Sequence, residues 1–170
     1  MATRKSDFRR KLLITLLQGS VIVAEPLQAE PVTECDIGRF TYPMGVNPAD
    51  VAIADLNNDG TDDMVVSNHQ SDNVYVLSGR GNGEFDVLGS YSVGNAPWGV
   101  GVCDLNRDRK LDLVVANAGS YTLAVLLGNG DGTFNDASFY EVGSSPQSVT
   151  VAAFNTDGIP DVVVPNPEAE

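Results

Sequence analysis

The stretch Asp55-Leu56-Asn57-Asn58-Asp59-Gly60 places two carboxylates and two amides within five positions, with a glycine behind them. Counted from Asp55 as position one, oxygen-bearing side chains fall at positions one, three, five and nine: Asp55, Asn57, Asp59 and Asp63. Alternate residues of a tight loop can face one centre, and Thr61 at position seven can add its backbone carbonyl. Three carboxylates converging without a cation would repel one another and raise their own pKa values. Calcium suits such a set, because it takes six to eight hard oxygen ligands at about 2.3–2.6 Å in flexible geometry. Magnesium demands a smaller octahedral shell, and zinc wants Cys or His, which the loop lacks. Gly60 permits the sharp turn that wrapping requires. The first six residues imitate an EF-hand, but position twelve is Val66 where that motif needs a bidentate Glu.

The pattern recurs. Asp104, Asn106, Asp108 and Asp112 repeat the four oxygen positions, and the Lys110 carbonyl takes the place of Thr61. Arg109 stands where the glycine should be, and Arg107 and Lys110 add positive charge, so weaker binding is expected there. A third loop keeps Asn155, Asp157 and Asp161 but has Ala153 at position one and Pro160 beside it. It is expected to be degenerate.

These loops are landmarks of a longer repeat. "DLNNDGTDDMVV" from Asp55, "DLNRDRKLDLVV" from Asp104 and "AFNTDGIPDVVV" from Ala153 are 49 residues apart. Pro48, Pro97 and Pro146 keep the step, as do Asn68, Asn117 and Asn166, and Phe85 and Phe134. An ungapped comparison of 46–94 with 95–143 gives about 20 identities. Each unit reads as four short strands, rich in Val, Tyr and Phe, joined by Gly, Asn, Asp and Pro. Four strands in such a repeat match one blade of a β-propeller. The expected fold is therefore all-β, with blades of four antiparallel strands: full blades at 46–94 and 95–143 and a partial blade at 144–170. Residues 38–48 align with 87–97 and read as the last strand of a preceding blade. About two and a half blades cannot close a ring, and their flanks would expose strand edges and apolar surface. A fragment of a longer propeller is expected, or several copies that assemble to complete one.

The remaining features set the context. The formal net charge is −13 over 170 residues. Residues 1–24 hold five of the ten Lys and Arg but one of the 23 Asp and Glu, so the remainder carries −17. That charge repels nucleic acid and anionic lipid, and no nucleic-acid partner is expected. The start joins a basic stretch (Arg4, Lys5, Arg9, Arg10, Lys11) to the apolar run 12–24, with Ala24 and Ala29 as cleavage candidates. Residues 1–29 thus read as a signal peptide and cleavage region, and 30–37 as a linker. The alternative is a short amphipathic helix. The apolar run is too short to span a bilayer comfortably. Cys35 and Cys103 lack a motif, and a buried thiol is the ordinary outcome for Cys103. The glycine-rich stretches 78–85 and 127–134 read as hairpin turns rather than phosphate loops. His69 reads as a solvated loop residue. Trp98 and Tyr121 fall at joins, where packing between blades is favoured over presentation to a ligand. Nothing resembles a catalytic triad or a pair of hydrolytic acids.

The segments "VAIADLNNDGTDDMVV", "VGVCDLNRDRKLDLVV" and "TLAVLLGNGDGTF" resemble the FG-GAP or VCBS repeat family, found also in the N-terminal propeller of integrin α chains. The resemblance covers about residues 38–166. It implies a β-propeller whose calcium loops join the first and second strands of a blade, in a secreted, cell-surface or periplasmic setting. It implies a non-enzymatic module for adhesion or for recognising an extracellular protein or glycan. An accessory propeller segment of a secreted hydrolase or lyase is the alternative.

Overall fold

The computed structural model of the protein describes residues 14–17, 20–24, 39–143 and 145–165. Thirteen strands are found there: β1 (Ile14–Leu17), β2 (Ser20–Ala24), β3 (Arg39–Pro43), β4 (Pro48–Ala54), β5 (Asp63–Asn68), β6 (Asn73–Gly79), β7 (Phe85–Ser92), β8 (Pro97–Cys103), β9 (Asp112–Asn117), β10 (Thr122–Leu126), β11 (Ser138–Glu141), β12 (Thr150–Ala152) and β13 (Asp161–Val163). Among the described residues there are no helices, and so no helix long and apolar enough to cross a membrane. The strands form four sheets, ordered β1-β2-β3, β4-β5-β6-β7, β8-β9-β10-β11 and β12-β13. Every pairing is antiparallel between chain neighbours. Two complete four-stranded blades stand between two incomplete ones, as expected for part of a β-propeller.

The second strand of each full blade explains the packing. All six residues of β5 and all six of β9 are buried. A strand buried on both faces needs an unbroken apolar run, and "MVV" and "LVVA" supply it. Side chains alternate between faces, so one strand feeds two cores. Val65 of β5 joins Leu113 and Val115 of β9 in the core between the two full blades, with Leu56, Val74, Val76, Val93, Val100, Leu126 and Phe134. Met64 and Val66 turn the other way, to Leu77, Phe85, Tyr42 and Met44. Val114 and Ala116 of β9 face Val149, Val162 and Val164 near the last sheet. Each fully buried Val or Leu contributes about 1.5–3 kcal/mol relative to exposure, so inter-blade packing dominates the stability of this fold.

A pair of aromatic contacts repeats across the blade boundaries. Tyr42 meets Phe85 edge-on at 6.0 Å, and Tyr91 meets Phe134 edge-on at 5.6 Å. In each case the Phe backbone N–H donates to the Tyr hydroxyl, at 2.9 Å and 3.1 Å. The outer strand of one blade is thereby latched to the next.

The N-terminal region differs from a lone strand before the first blade. β3 pairs with β2, and β2 with β1, so three strands precede β4. The β1–β2 register closes on Leu17↔Ser20, with Gln18-Gly19 between, and Ile14, Thr15, Val21, Ile22 and Val23 suit extended backbone. The basic stretch before it, Ala29, the linker 30–37, Cys35 and Asn166 lie outside the described residues.

Candidate functional site

The acidic loops connect the first and second strands of each blade. In the first, the carboxylate of Asp55 folds back over the turn and accepts N–H groups from Asp59 (3.1 Å) and Gly60 (2.9 Å). The Asn57 side-chain carbonyl accepts the same Asp59 N–H at 2.9 Å. Asp55 Oδ1 and Asn57 Oδ1 therefore converge on one point. Asp59 Oδ1 accepts the Thr61 N–H at 2.8 Å, and Asp59 Oδ2 accepts from Asn57 Nδ2 at 2.9 Å. The Thr61 N–H, then the Asn57 amide, hold the Asp59 carboxyl below its ordinary range by stabilising the ionised form.

Asp63 has a different place. It is fully buried, and its two oxygens accept the Leu56 N–H at 3.0 Å and the Gly79 N–H at 2.9 Å. This carboxylate struts the base of the loop against the end of β6. The approach is close: a Cβ on Gly79 would lie 2.2 Å from the Asp62 carbonyl oxygen, so only glycine fits.

The second loop reproduces this network. Asp104 accepts N–H groups of Asp108 (3.1 Å) and Arg109 (2.8 Å), Asn106 Oδ1 shares the Asp108 N–H at 2.9 Å, and Asp108 Oδ1 accepts the Lys110 N–H at 2.9 Å. Buried Asp112 accepts from Leu105 and Gly128, both at 2.9 Å. Arg109 adopts φ 68° where Gly60 has φ 85°, so the turn survives the loss of glycine at the cost of left-handed backbone in a residue with a Cβ. The Lys110 ammonium lies 4.0 Å from Asp108 Oδ2 and supplies part of the counter-charge.

The third loop is thinner. Asn155 Oδ1 accepts the Asp157 N–H at 2.8 Å, Asp157 Oδ1 accepts from Ile159 at 2.7 Å, and Asp161 Oδ2 accepts from Phe154 at 2.8 Å. With Ala153 at position one there is no carboxylate to fold over the turn. Arg107 reaches across from the second loop instead, its Nη2 donating to the Asp157 carbonyl at 2.5 Å. That contact was not foreseen from the sequence, where the equivalent residue 49 positions earlier is the shorter Asn58.

The donor set is hard oxygen throughout, which fits calcium, and Asp55, Asn57 and Asp59 are placed together around one turn. Asp63 closes the base of the loop, where each of its oxygens also accepts a backbone N–H, and among the described residues no three His, Cys, Asp or Glu side chains form a ready cage. Elsewhere, His69 packs edge-on against Trp98 at 5.1 Å rather than standing in solvent alone. Trp98 remains 40% exposed and Tyr121 54% exposed. Cys103 is half-buried and without a disulfide partner among the described residues. Burial, then the charges of Asp112 and Asp104, push its thiol up to about 11. The glycine-rich stretches close as turns, through Arg80 N–H to the Glu84 carbonyl and Asn129 N–H to the Thr133 carbonyl.

A model of the FG-GAP-like repeat family matches residues 55–115 and again 104–164, together more than half of the chain. A search of curated proteins finds no match.

Proposed function

Because the chain belongs to the FG-GAP-like repeat family, we propose that it is an exported, calcium-stiffened β-propeller module that recognises an extracellular protein or glycan. The observation that carries the calcium part is the convergence of Asp55 Oδ1 and Asn57 Oδ1 on the single Asp59 N–H, repeated by Asp104 and Asn106 on Asp108. These oxygens are held in place by loop amides before any ion arrives. The residues that would hold calcium are Asp55, Asn57, Asp59, Asp63 and the Thr61 carbonyl. In the second loop they are Asp104, Asn106, Asp108, Asp112 and the Lys110 carbonyl. The third loop has the weaker set Asn155, Asp157 and Asp161. A bound calcium supplies positive charge that neutralises the loop and nothing catalytic. The chain's own part is to fix the turn between two strands and so stiffen the blade on which a ligand would rest.

Anything that binds the folded state alone stabilises it by mass action. The melting temperature should therefore rise in millimolar calcium relative to chelator, and Asp55→Asn should lose most of that rise. Equal melting curves with and without calcium, together with no calorimetric heat on titration, would remove calcium from the account.

A further inference from the structure

A groove of about 410 Å³ lies between the outer parts of the two full blades, lined by Ser90, Tyr91 and Ser92 of β7 and by Leu126, Asp136, Ala137 and Phe139. Leu126 is fully buried. Tyr91 is fixed by its latch to Phe134. Phe139 is 54% exposed. Asp136 is exposed and makes no hydrogen bond or ion pair among the described residues, and Ser90 and Ser92 are exposed too.

The internal repeat separates what the fold requires from what it does not. One step of 49 residues earlier, Tyr91 corresponds to Tyr42 and Leu126 to Leu77, so latch and floor are kept. Asp136 corresponds to Val87, Ala137 to Leu88 and Phe139 to Ser90. The second blade has thus gained an acid and an aromatic ring and lost the bulk of a leucine, all along one groove. Core packing does not need the acid or the ring, since Asp136 and Phe139 are exposed, whereas the smaller Ala137 packs half-buried against the core.

We propose that this groove binds a neutral saccharide, one or two rings long. This rests on reading the chain as a recognition module and names its ligand class. An exposed aromatic ring offers a flat apolar surface to the C–H face of a sugar. The Asp136 carboxylate accepts hydroxyl hydrogens in charge-assisted bonds, and Ser90 and Ser92 complete a hydroxyl-matching rim. The volume lies within the range of small-ligand sites. No Lys or Arg lines the groove, and the protein is strongly acidic, so an anionic ligand is repelled. A lone exposed carboxylate gains little from an ammonium ion, and an amine leaves the serines and the ring unexplained.

The test is ligand-observed saturation-transfer NMR on the full chain. The probes are a panel of neutral mono- and disaccharides, with spermidine and inorganic phosphate as charged controls, each run in calcium and in chelator. At least one neutral saccharide should bind with a dissociation constant on the order of 1 mM, with saturation strongest on the C–H protons of one ring face. Phe139→Ser and Ala137→Leu, which restore the first-blade residues, should each weaken it at least tenfold, and Asp136→Asn severalfold; the two exposed changes, Phe139→Ser and Asp136→Asn, should do so without moving the melting temperature. Absence of saccharide binding, equal binding by all three variants, or preference for spermidine would each overturn the proposal. A chain that gains stability from calcium yet takes no saccharide overturns the groove alone.

Discussion

Removing the Asp63 carboxylate should destabilise the protein severely even when no calcium is present. The side chain is fully buried and its two oxygens satisfy two backbone donors, Leu56 N–H at 3.0 Å and Gly79 N–H at 2.9 Å. Asp63→Ala leaves both donors without partners. An orphaned buried donor costs about 1–3 kcal/mol, so the pair amounts to about 2–6 kcal/mol, a large part of an ordinary domain's stability of about 5–15 kcal/mol. Asp63→Asn keeps one acceptor and turns an NH₂ toward the other donor, so about half the loss is expected. Urea unfolding in chelator, followed by the fluorescence of the single tryptophan, Trp98, reads the difference. Asp112→Ala should give a loss of similar size through Leu105 and Gly128. If Asp63→Ala matches wild type in chelator and falls below it only in calcium, then Asp63 serves as an ion ligand alone and bears no load as a strut, and the reasoning fails.

Three further outcomes follow from the loops. Arg109→Gly should stabilise the second loop by about 1 kcal/mol, because glycine holds positive φ without the Cβ penalty; urea midpoints check it. Arg107→Ala should speed amide exchange in β12, β13 and the loop between them, in chelator as well as in calcium, because it removes the Nη2 bond to the Asp157 carbonyl; mass-detected hydrogen exchange reads it, and unchanged exchange would refute the contact. Cys103 should alkylate slowly at neutral pH when folded: its thiol keeps its proton until about pH 11, against 9.0 for an ordinary one. Reactivity should rise as pH approaches that value and should be fast in urea, as followed by intact-mass spectra with iodoacetamide.

The blades were legible because two local signals agree in each unit. Strand alternation and turn residues recur every 49 positions, and "MVV" and "LVVA" mark strands buried on both faces. The loop chemistry was legible for the same reason, since side-chain oxygens at alternate positions are local. The strut role of Asp63 was not, because Gly79, its second donor, lies 16 residues away on another strand. The Tyr–Phe latches were half-visible: the step of Phe85 and Phe134 was read, but Tyr42 and Tyr91, at the same step, found their meaning only when adjacent sheets were placed together. The pairing of β1 and β2 with β3 was not legible, because apolar length and flanking charge describe a segment but not its pairing partner. Trp98 and Tyr121 show the limit of side-chain type as a guide: the first packs on His69 and still meets solvent, and the second is mostly exposed.

The latch also bears on how such a chain lengthens. Tyr91 sits near the end of one unit and Phe134 late in the next, 43 residues on, just as Tyr42 stands to Phe85. A single copied segment of 49 residues therefore carries both the hook and the eye. Tandem duplication of such a segment would insert a new blade whose two seams are already matched, with no fresh surface to evolve. An insertion or deletion inside a unit that shifts Tyr relative to Phe would instead break a seam, which confines tolerated length changes to the loops or to whole units.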